Sequence, residues 1–227
     1  MRDAIVAEIT KGRTRKCLYH FTRAKNLPII DRFDALFSSY ALCPENAGER
    51  RTEVKLVNYR GFEVTLNSHL RIPESMIDAS VTLEQFRASL DRHVFFWPTI
   101  RDCRKMIETY QRREPEEEFA VLEFDAYSLM LENGSSVKLS KYDSGSAPRF
   151  PASCTYKKSP SMFLPLDSFR KVVNHTVPAK PSEIKEVLIE EQVHPISDYL
   201  RAVYIQHRHA VPERWSHLTR ALAELMT

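Results

Sequence analysis

Apolar positions along the chain fall in short blocks that alternate between the two-residue period of strands and the 3.6-residue period of helices. An opening helix is predicted over about residues 2–10, followed after a basic stretch by a strand at Leu18-Tyr19-His20-Phe21. Asn26-Leu27-Pro28 then reads as a helix start, with Asn as the cap and Pro in the first turn, where its missing N–H costs nothing. Periodicity over 45–80 is weak and leaves only a hairpin, Val54–Val57 with Phe62–Leu66. Thr82-Leu83-Glu84-Gln85 has capping-box spacing and opens a short helix to about Asp91. His93–Trp97 predicts a strand, and Thr99 caps a helix reaching about Arg112. Phe119–Asp125 and Ser136–Ser140 predict strands around a short helix at Tyr127–Glu132, and Glu186–Ile189 and Ala202–Ile205 predict two more strands. An amphipathic helix opened by Pro212, with Trp215, Leu218, Leu222 and Leu225 along one side, is predicted within 211–226. Ser144–Lys180 is rich in Ser and Pro and lacks apolar periodicity, so it is expected to be a long substrate loop that does not support the core. Strands and helices mix without regular βαβ alternation, which gives an α+β class and a single domain over 1–227 with its core at about 17–205.

Composition narrows the function classes. The 227 residues are 43% hydrophobic and 28% charged, ordinary for a globular domain, and no apolar run is long enough to cross a membrane. Met1–Glu8 lacks an apolar core of signal length, so a cytoplasmic location with reduced thiols is expected. Only five glycines occur, no two closer than eleven residues, which excludes the G-x-G-x-x-G and G-x-x-x-x-G-K-[ST] phosphate loops. Cys17, Cys43, Cys103 and Cys154 form no C-x-x-C pair, and His207-x-His209 reads as a solvated loop, so no metal is expected. The net charge of +3 is unevenly placed. Residues 11–25 hold six Lys and Arg and no acid, and residues 149–180 hold six against Asp167 alone. Two such runs can border a phosphate-binding groove if the fold brings them together. Glu114-Pro115-Glu116-Glu117-Glu118, between them, is expected to be a solvated turn.

The segment from Tyr19 to Leu27 places His20 and Thr22 on one face of a strand and Asn26 at the head of the next helix. That corner can hydrogen-bond a ribose and an amide without a glycine loop, although a strand histidine taken alone has the ordinary pattern of a satisfied core or edge residue. Tyr19-His20-Phe21-Thr22, with Asn26-Leu27 following, resembles the first motif of the DarT-like ADP-ribosyltransferases, which transfer ADP-ribose from NAD to bases of single-stranded DNA. Phe95-Phe96-Trp97-Pro98-Thr99-Ile100-Arg101 is similar to that family's strand-to-helix arginine segment, with its spacing displaced by about one residue. Glu186-Val187-Leu188-Ile189, followed by Val193-x-Pro195, resembles the ending that carries the family's catalytic glutamate. The chain is also similar to an uncharacterised bacterial family, a sister branch, through Leu18-x-His20-Phe21-Thr22, Phe95-Phe96-Trp97 and Ser144-Gly145-x-x-x-Arg149.

The resemblance implies an ADP-ribosyltransferase-like fold, with split central β-sheets around an NAD cleft and flanking helices. It implies NAD as substrate, with Glu186 and Arg101 as catalytic residues and His20, Thr22, Asn26 and Leu27 in the cofactor pocket. Tyr19 or Trp97 would stack on nicotinamide. Arg149, Phe150, Tyr156, Lys157 and Lys158 would hold a single-stranded DNA or RNA acceptor. The implied role is a toxin or phage-defence effector, with an antitoxin protein as a further partner and no membrane. Two alternatives stay open at this stage: an enzyme whose acceptor is protein or water, and a catalytically silent relative that binds a nucleotide or a partner.

Overall fold

The computed structural model describes residues 1–226. Its strands are β1 (Cys17–Arg23), β2 (Leu36–Phe37), β3 (Lys55–Tyr59), β4 (Phe62–Leu66), β5 (His93–Phe96), β6 (Phe119–Asp125), β7 (Val137–Ser140), β8 (Leu164–Pro165), β9 (Glu186–Glu190), β10 (Gln192–Val193), β11 (Leu200–Ile205) and β12 (Thr219–Ala221). Its helices are α1 (Arg2–Ile9), α2 (Leu27–Phe33), α3 (Ser39–Leu42), α4 (Leu83–Asp91), α5 (Ile100–Arg113), α6 (Ala126–Glu132) and α7 (Ala223–Met226). The class is α+β.

Two four-stranded sheets, ordered β1-β6-β11-β12 and β5-β9-β7-β8, form the body. β6 is central in the first sheet and reads Phe-Ala-Val-Leu-Glu-Phe-Asp, apolar on both faces because both faces are covered. Ala120, Leu122 and Phe124 join Leu18 and Val203 in the main core, which also receives Phe96, Leu139, Val187 and Ile189 from the second sheet. The alternate residues Phe119 and Val121 face outward and pack with Phe21 and Tyr204 under Cys103, Ile107 and Tyr110 of α5. A third cluster, with Met76, Phe86, Leu90, Phe163 and Leu188, covers the outer face of the second sheet. A backbone bridge links the sheets: Tyr19 N–H donates to Trp97 O at 3.0 Å and Trp97 N–H to Tyr19 O at 2.9 Å. Next to that pair His20 of β1 contacts Phe95 and Phe96 of β5, and residues of both strands line one cavity.

Local signals in the sequence explain several boundaries. Thr82 and Gln85 cap α4 reciprocally, each side chain bonding the other's backbone N–H. Thr99 accepts from the N–H of Asp102 and starts α5. Asn26 departs from expectation: its side chain does not cap α2 but bonds both backbone groups of Thr65, at 2.9 Å each, and so pins the β3–β4 hairpin to the corner after β1.

Three other expectations are corrected. Residues 211–226 are not one amphipathic helix: a 3₁₀ segment, Glu213–Leu218, leads into β12, which pairs parallel to β11 before the single turn of α7. Trp215, Leu222 and Leu225 are buried all the same, so the apolar spacing marks core positions carried by a 3₁₀ turn, a strand end and a short helix in place of one long helix. The stretch 144–180 does support the core: Met162, Phe163, Leu164, Leu166, Phe169 and Val177 are all buried within it, held by 3₁₀ turns that have no apolar period. The acidic run 114–118 is not simply solvated. Glu114 and Glu117 each pair at 2.6 Å with the fully buried guanidinium of Arg23, whose Nε donates to Asn67. Among the described residues no helix is long and apolar enough to cross a membrane.

Candidate functional site

The end of β9 lies beside the bridge that links the two sheets. Val187 pairs with Phe96 of β5, and Glu186 pairs with Ser140 of β7, so Glu186 and Trp97 stand one step past the last β5–β9 pair. Glu186 is only 2% exposed. Its Oε2 accepts from the Ser144 hydroxyl at 2.6 Å, and its two oxygens accept from the Ser144 N–H at 3.1 and 3.2 Å. Behind that turn, the fully buried Lys158 donates from Nζ to the carbonyls of Asp143, at 2.5 Å, and Ser144, at 3.0 Å. Burial pushes the Glu186 carboxyl above its ordinary range, and the charge of Asp143 adds to this; the Ser144 donors and Lys158 pull the other way. Burial pushes Lys158 downward.

His20 projects from the middle of β1 into the same cavity as Glu186. Its Nδ1 lies 2.9 Å from the carbonyl of Phe95, and because a carbonyl only accepts, Nδ1 carries the proton. Burial pushes its pKa down to about 4, so at neutral pH the ring is uncharged and Nε2 is an acceptor. The cavity measures about 690 Å³ and is lined by His20, Thr22, Trp97 and Glu186 among others. That volume lies within the roughly 300–1,000 Å³ of sites for cofactor-sized molecules. A second cavity of about 430 Å³ shares Trp97, Glu186, Asp143 and Arg71 with the first and extends along α5 past Asp102, Lys105 and Thr109 to Lys185. Glu186 and Trp97 therefore stand at the junction of two chambers.

The far wall of the larger cavity carries a polar network that sequence reading missed. Asp91, at the end of α4, is buried and accepts from Ser39 Oγ at 2.8 Å, Arg51 Nη2 at 2.9 Å, Gly48 N–H at 2.9 Å and His69 Nε2 at 3.2 Å. His69 can donate from Nε2 because its Nδ1 accepts the Arg51 N–H. These donors hold the Asp91 carboxyl well below the usual carboxylate range despite its burial. The network zips segment 48–51 to segment 67–69, and Arg50, Arg51 and Arg71 line the cavity beside it. The only sequence sign was a block of weak periodicity with several Arg, Ser and His, a pattern equally ordinary for a solvated loop.

The expected site residues divide. His20, Thr22, Trp97 and Glu186 line the larger cavity, and Trp97 and Glu186 the second as well. Asn26 reaches the cavity wall, but its amide is bonded to Thr65. Arg101 is displaced from the site: its side chain is 72% exposed and lines neither cavity. Cys103, Ile107 and Tyr110 bury one face of α5, and Arg101 lies on the other. Strand alternation turns Tyr19 away from His20 and Thr22; it packs against the outer cluster and lines neither cavity. Leu27 is fully buried in the main core.

The proposed acceptor residues divide too. Arg149 and Phe150 are exposed, with the guanidinium 5.4 Å from the ring centroid. Lys157 is exposed and donates to Ser75 O at 2.5 Å. Tyr156 is stacked on Tyr142 at 3.7 Å, which covers one ring face. Lys158 is buried behind Glu186 and is removed from any phosphate-binding surface. Among the described residues no cluster of three or more His, Cys, Asp or Glu side chains is arranged to hold a metal ion.

Residues 16–200 match the Family of unknown function (DUF7002), and the chain belongs to that family. No curated protein matches the chain. Among solved structures, DarT from Thermus sp. 2.9 in complex with NAD+ is similar over 86% of this chain and 84% of that one, at 12% identity and a TM-score of 0.39.

Proposed function

We propose that the chain is an NAD-dependent mono-ADP-ribosyltransferase that transfers ADP-ribose to a base of single-stranded DNA or RNA, in the role of a toxin or phage-defence effector. The observation that carries this reading is the convergence of His20 and Glu186, 166 positions apart, on one cofactor-sized cavity. NAD is the substrate. The His20 Nε2 lone pair accepts from a ribose hydroxyl, Trp97 offers an aromatic wall for nicotinamide, and Arg51 and Arg71 bring positive charge to the pyrophosphate.

The reaction breaks the bond between nicotinamide and ribose and forms one between that ribose carbon and a base nitrogen. Nicotinamide leaves with the bonding electrons, and the base nitrogen supplies the new pair and loses a proton. Glu186 faces the positive charge that develops on the ribose and can take that proton. The carboxylate is buried among fixed donors, so its orientation is set before substrate arrives.

The second cavity suits the acceptor. It shares Glu186 with His20's chamber, and Lys105, Lys185 and Arg71 line it. A base must be unstacked to enter such a chamber, which makes single strands the cheaper substrate. Arg149, Phe150 and Lys157 would hold flanking phosphates and stack a neighbouring base.

Incubating the purified chain with labelled NAD and separate pools of single-stranded DNA, RNA and cell protein tests the reading. Label is expected in one of the nucleic-acid pools. Label in the protein pool alone refutes the acceptor, and intact NAD in every pool refutes the enzyme.

A further inference from the structure

The turn that grips Glu186 is itself gripped from behind. The peptide unit between Asp143 and Ser144 presents its N–H to the Glu186 carboxylate and its carbonyl oxygen to the Lys158 ammonium. One amide thus lies between a buried carboxyl and a buried amine, and each, when charged, polarises it toward the other. The Ser144 carbonyl takes a second bond from the same ammonium, at 3.0 Å, while the Ser144 hydroxyl takes the carboxylate. Lys158 is fixed in turn by its own backbone, whose N–H donates to Met76 O at 2.7 Å and whose carbonyl accepts from Asp78 N–H at 2.9 Å. Residues 70–75, immediately before Met76, line the larger cavity.

A lysine with no exposed surface is costly unless its charge has work nearby. None of the salt bridges found among the described residues takes its ammonium, and its two hydrogen bonds both go to this turn. We infer that Lys158 is a positioning residue that holds the Asp143–Ser144 peptide against Glu186 and so sets the pH at which ADP-ribosyl transfer switches on. The inference rests on the reading of Glu186 as the catalytic carboxylate.

Asp143 opposes Lys158 and raises the carboxyl, and the Tyr156 phenol is held neutral, itself pushed up to about 12. Across the two cavities stand neutral His20, Arg71, Asp102, Lys105 and Lys185, none bonded to Glu186. Among the described residues Lys158 is therefore the one cation tied to Glu186 through a single bonded group.

Titration of the full chain by carboxyl carbon NMR, with E186Q to assign the Glu186 signal, tests this without requiring turnover. In K158M the Glu186 midpoint is expected to rise by about one pH unit or more relative to wild type. Coupling between two sites is reciprocal, so E186Q must lower the midpoint of the Lys158 ammonium by the same amount, read by nitrogen NMR. That arm stands even if K158M does not fold. A Glu186 midpoint unmoved in folded K158M, or a Lys158 midpoint unmoved in E186Q, overturns the inference. The acid limb of NAD turnover in K158M is expected to follow the Glu186 midpoint upward. Midpoints that move while the turnover profile stays would uphold the coupling and refute Glu186 as the catalytic group.

Discussion

Replacing Glu186 with Gln separates what this side chain does for the fold from what it does for the reaction. In the native site both carboxylate oxygens accept from Ser144, and the charge sits opposite Lys158 across one peptide. Glu186→Ala would strip the buried Ser144 N–H of its acceptor and leave the Lys158 charge uncompensated, at about 3–5 kcal/mol, a typical cost for breaking a buried pair. Gln fills the same volume: its carbonyl keeps the Ser144 N–H, and its amide donates to the Ser144 hydroxyl, which turns to accept. The weaker neutral hydrogen bonds cost about 1 kcal/mol, and Gln shares with Ala the loss of the charge opposite Lys158. The chemistry does not survive it, because an amide neither opposes the oxocarbenium charge nor takes a proton. Loss of a positioned acid–base group slows a reaction by at least roughly 100-fold, equivalent to about 2.7 kcal/mol of transition-state stabilisation. The assay is nicotinamide release and label transfer by E186Q and wild type under saturating NAD, with thermal unfolding followed by circular dichroism on the same samples. A stable E186Q that turns over near the wild-type rate would refute the assignment of Glu186 as catalytic.

Three further outcomes are expected. His20→Ala should weaken NAD binding by about 1–3 kcal/mol in calorimetry, the worth of its hydrogen bond to a ribose; unchanged affinity would leave His20 a packing residue. Because His20 titrates near 4 in the folded chain and near 6.5 when unfolded, the unfolded state takes up a proton that the folded state does not as pH falls between those values. Its contribution is complete above pH 6.5 and is lost toward pH 4, by up to about 3 kcal/mol, so urea midpoints of wild type and H20Q should converge or cross on acidification; a difference independent of pH would refute the buried neutral imidazole. Replacing Arg149 and Lys157 together by Ala should reduce the slope of log affinity for single-stranded oligonucleotide against log salt by up to roughly 1.4 units while NAD turnover persists, and an unchanged slope would move the acceptor to protein.

The framework of the fold was legible because its strands and helices carry local signatures. Thr82 with Gln85 and Thr99 with Asp102 mark helix starts in the sequence, and the Val54–Leu66 hairpin lies within two residues of where alternation puts it. Elements that owe their existence to tertiary partners were not legible. β2 and β10 are two-residue pairings between segments more than 150 positions apart. β12 is a strand only because β11 offers an edge to three residues whose spacing alone fits a helix equally well. The 3₁₀ turns Pro160–Met162 and Leu166–Ser168 bury Met162 and Leu166, and Phe163 and Phe169 just after them, without any period to betray them.

The site follows the same division, and for the same reason. His20 and Thr22 could be placed on one face because strand alternation is a local rule, and the same rule turns Tyr19 away from them. Glu186 was reached through its motif, and its burial became plain only with the turn at Ser144 in place. Arg101 fell on the solvent face because one residue of spacing on a helix is 100° of rotation, and the buried faces of Cys103 and Ile107 fix the phase. Lys157 and Lys158 are adjacent and chemically identical, and composition assigns both to a phosphate surface. The backbone bonds of Lys158 to Met76 and Asp78 make it part of an ordered bridge, so its side chain points inward while that of its neighbour remains in solvent. A charged residue in a Ser/Pro-rich stretch carries no sequence mark of which way it faces; here that orientation separates Lys157, in solvent where the proposed acceptor would lie, from Lys158, bonded behind the Glu186 turn.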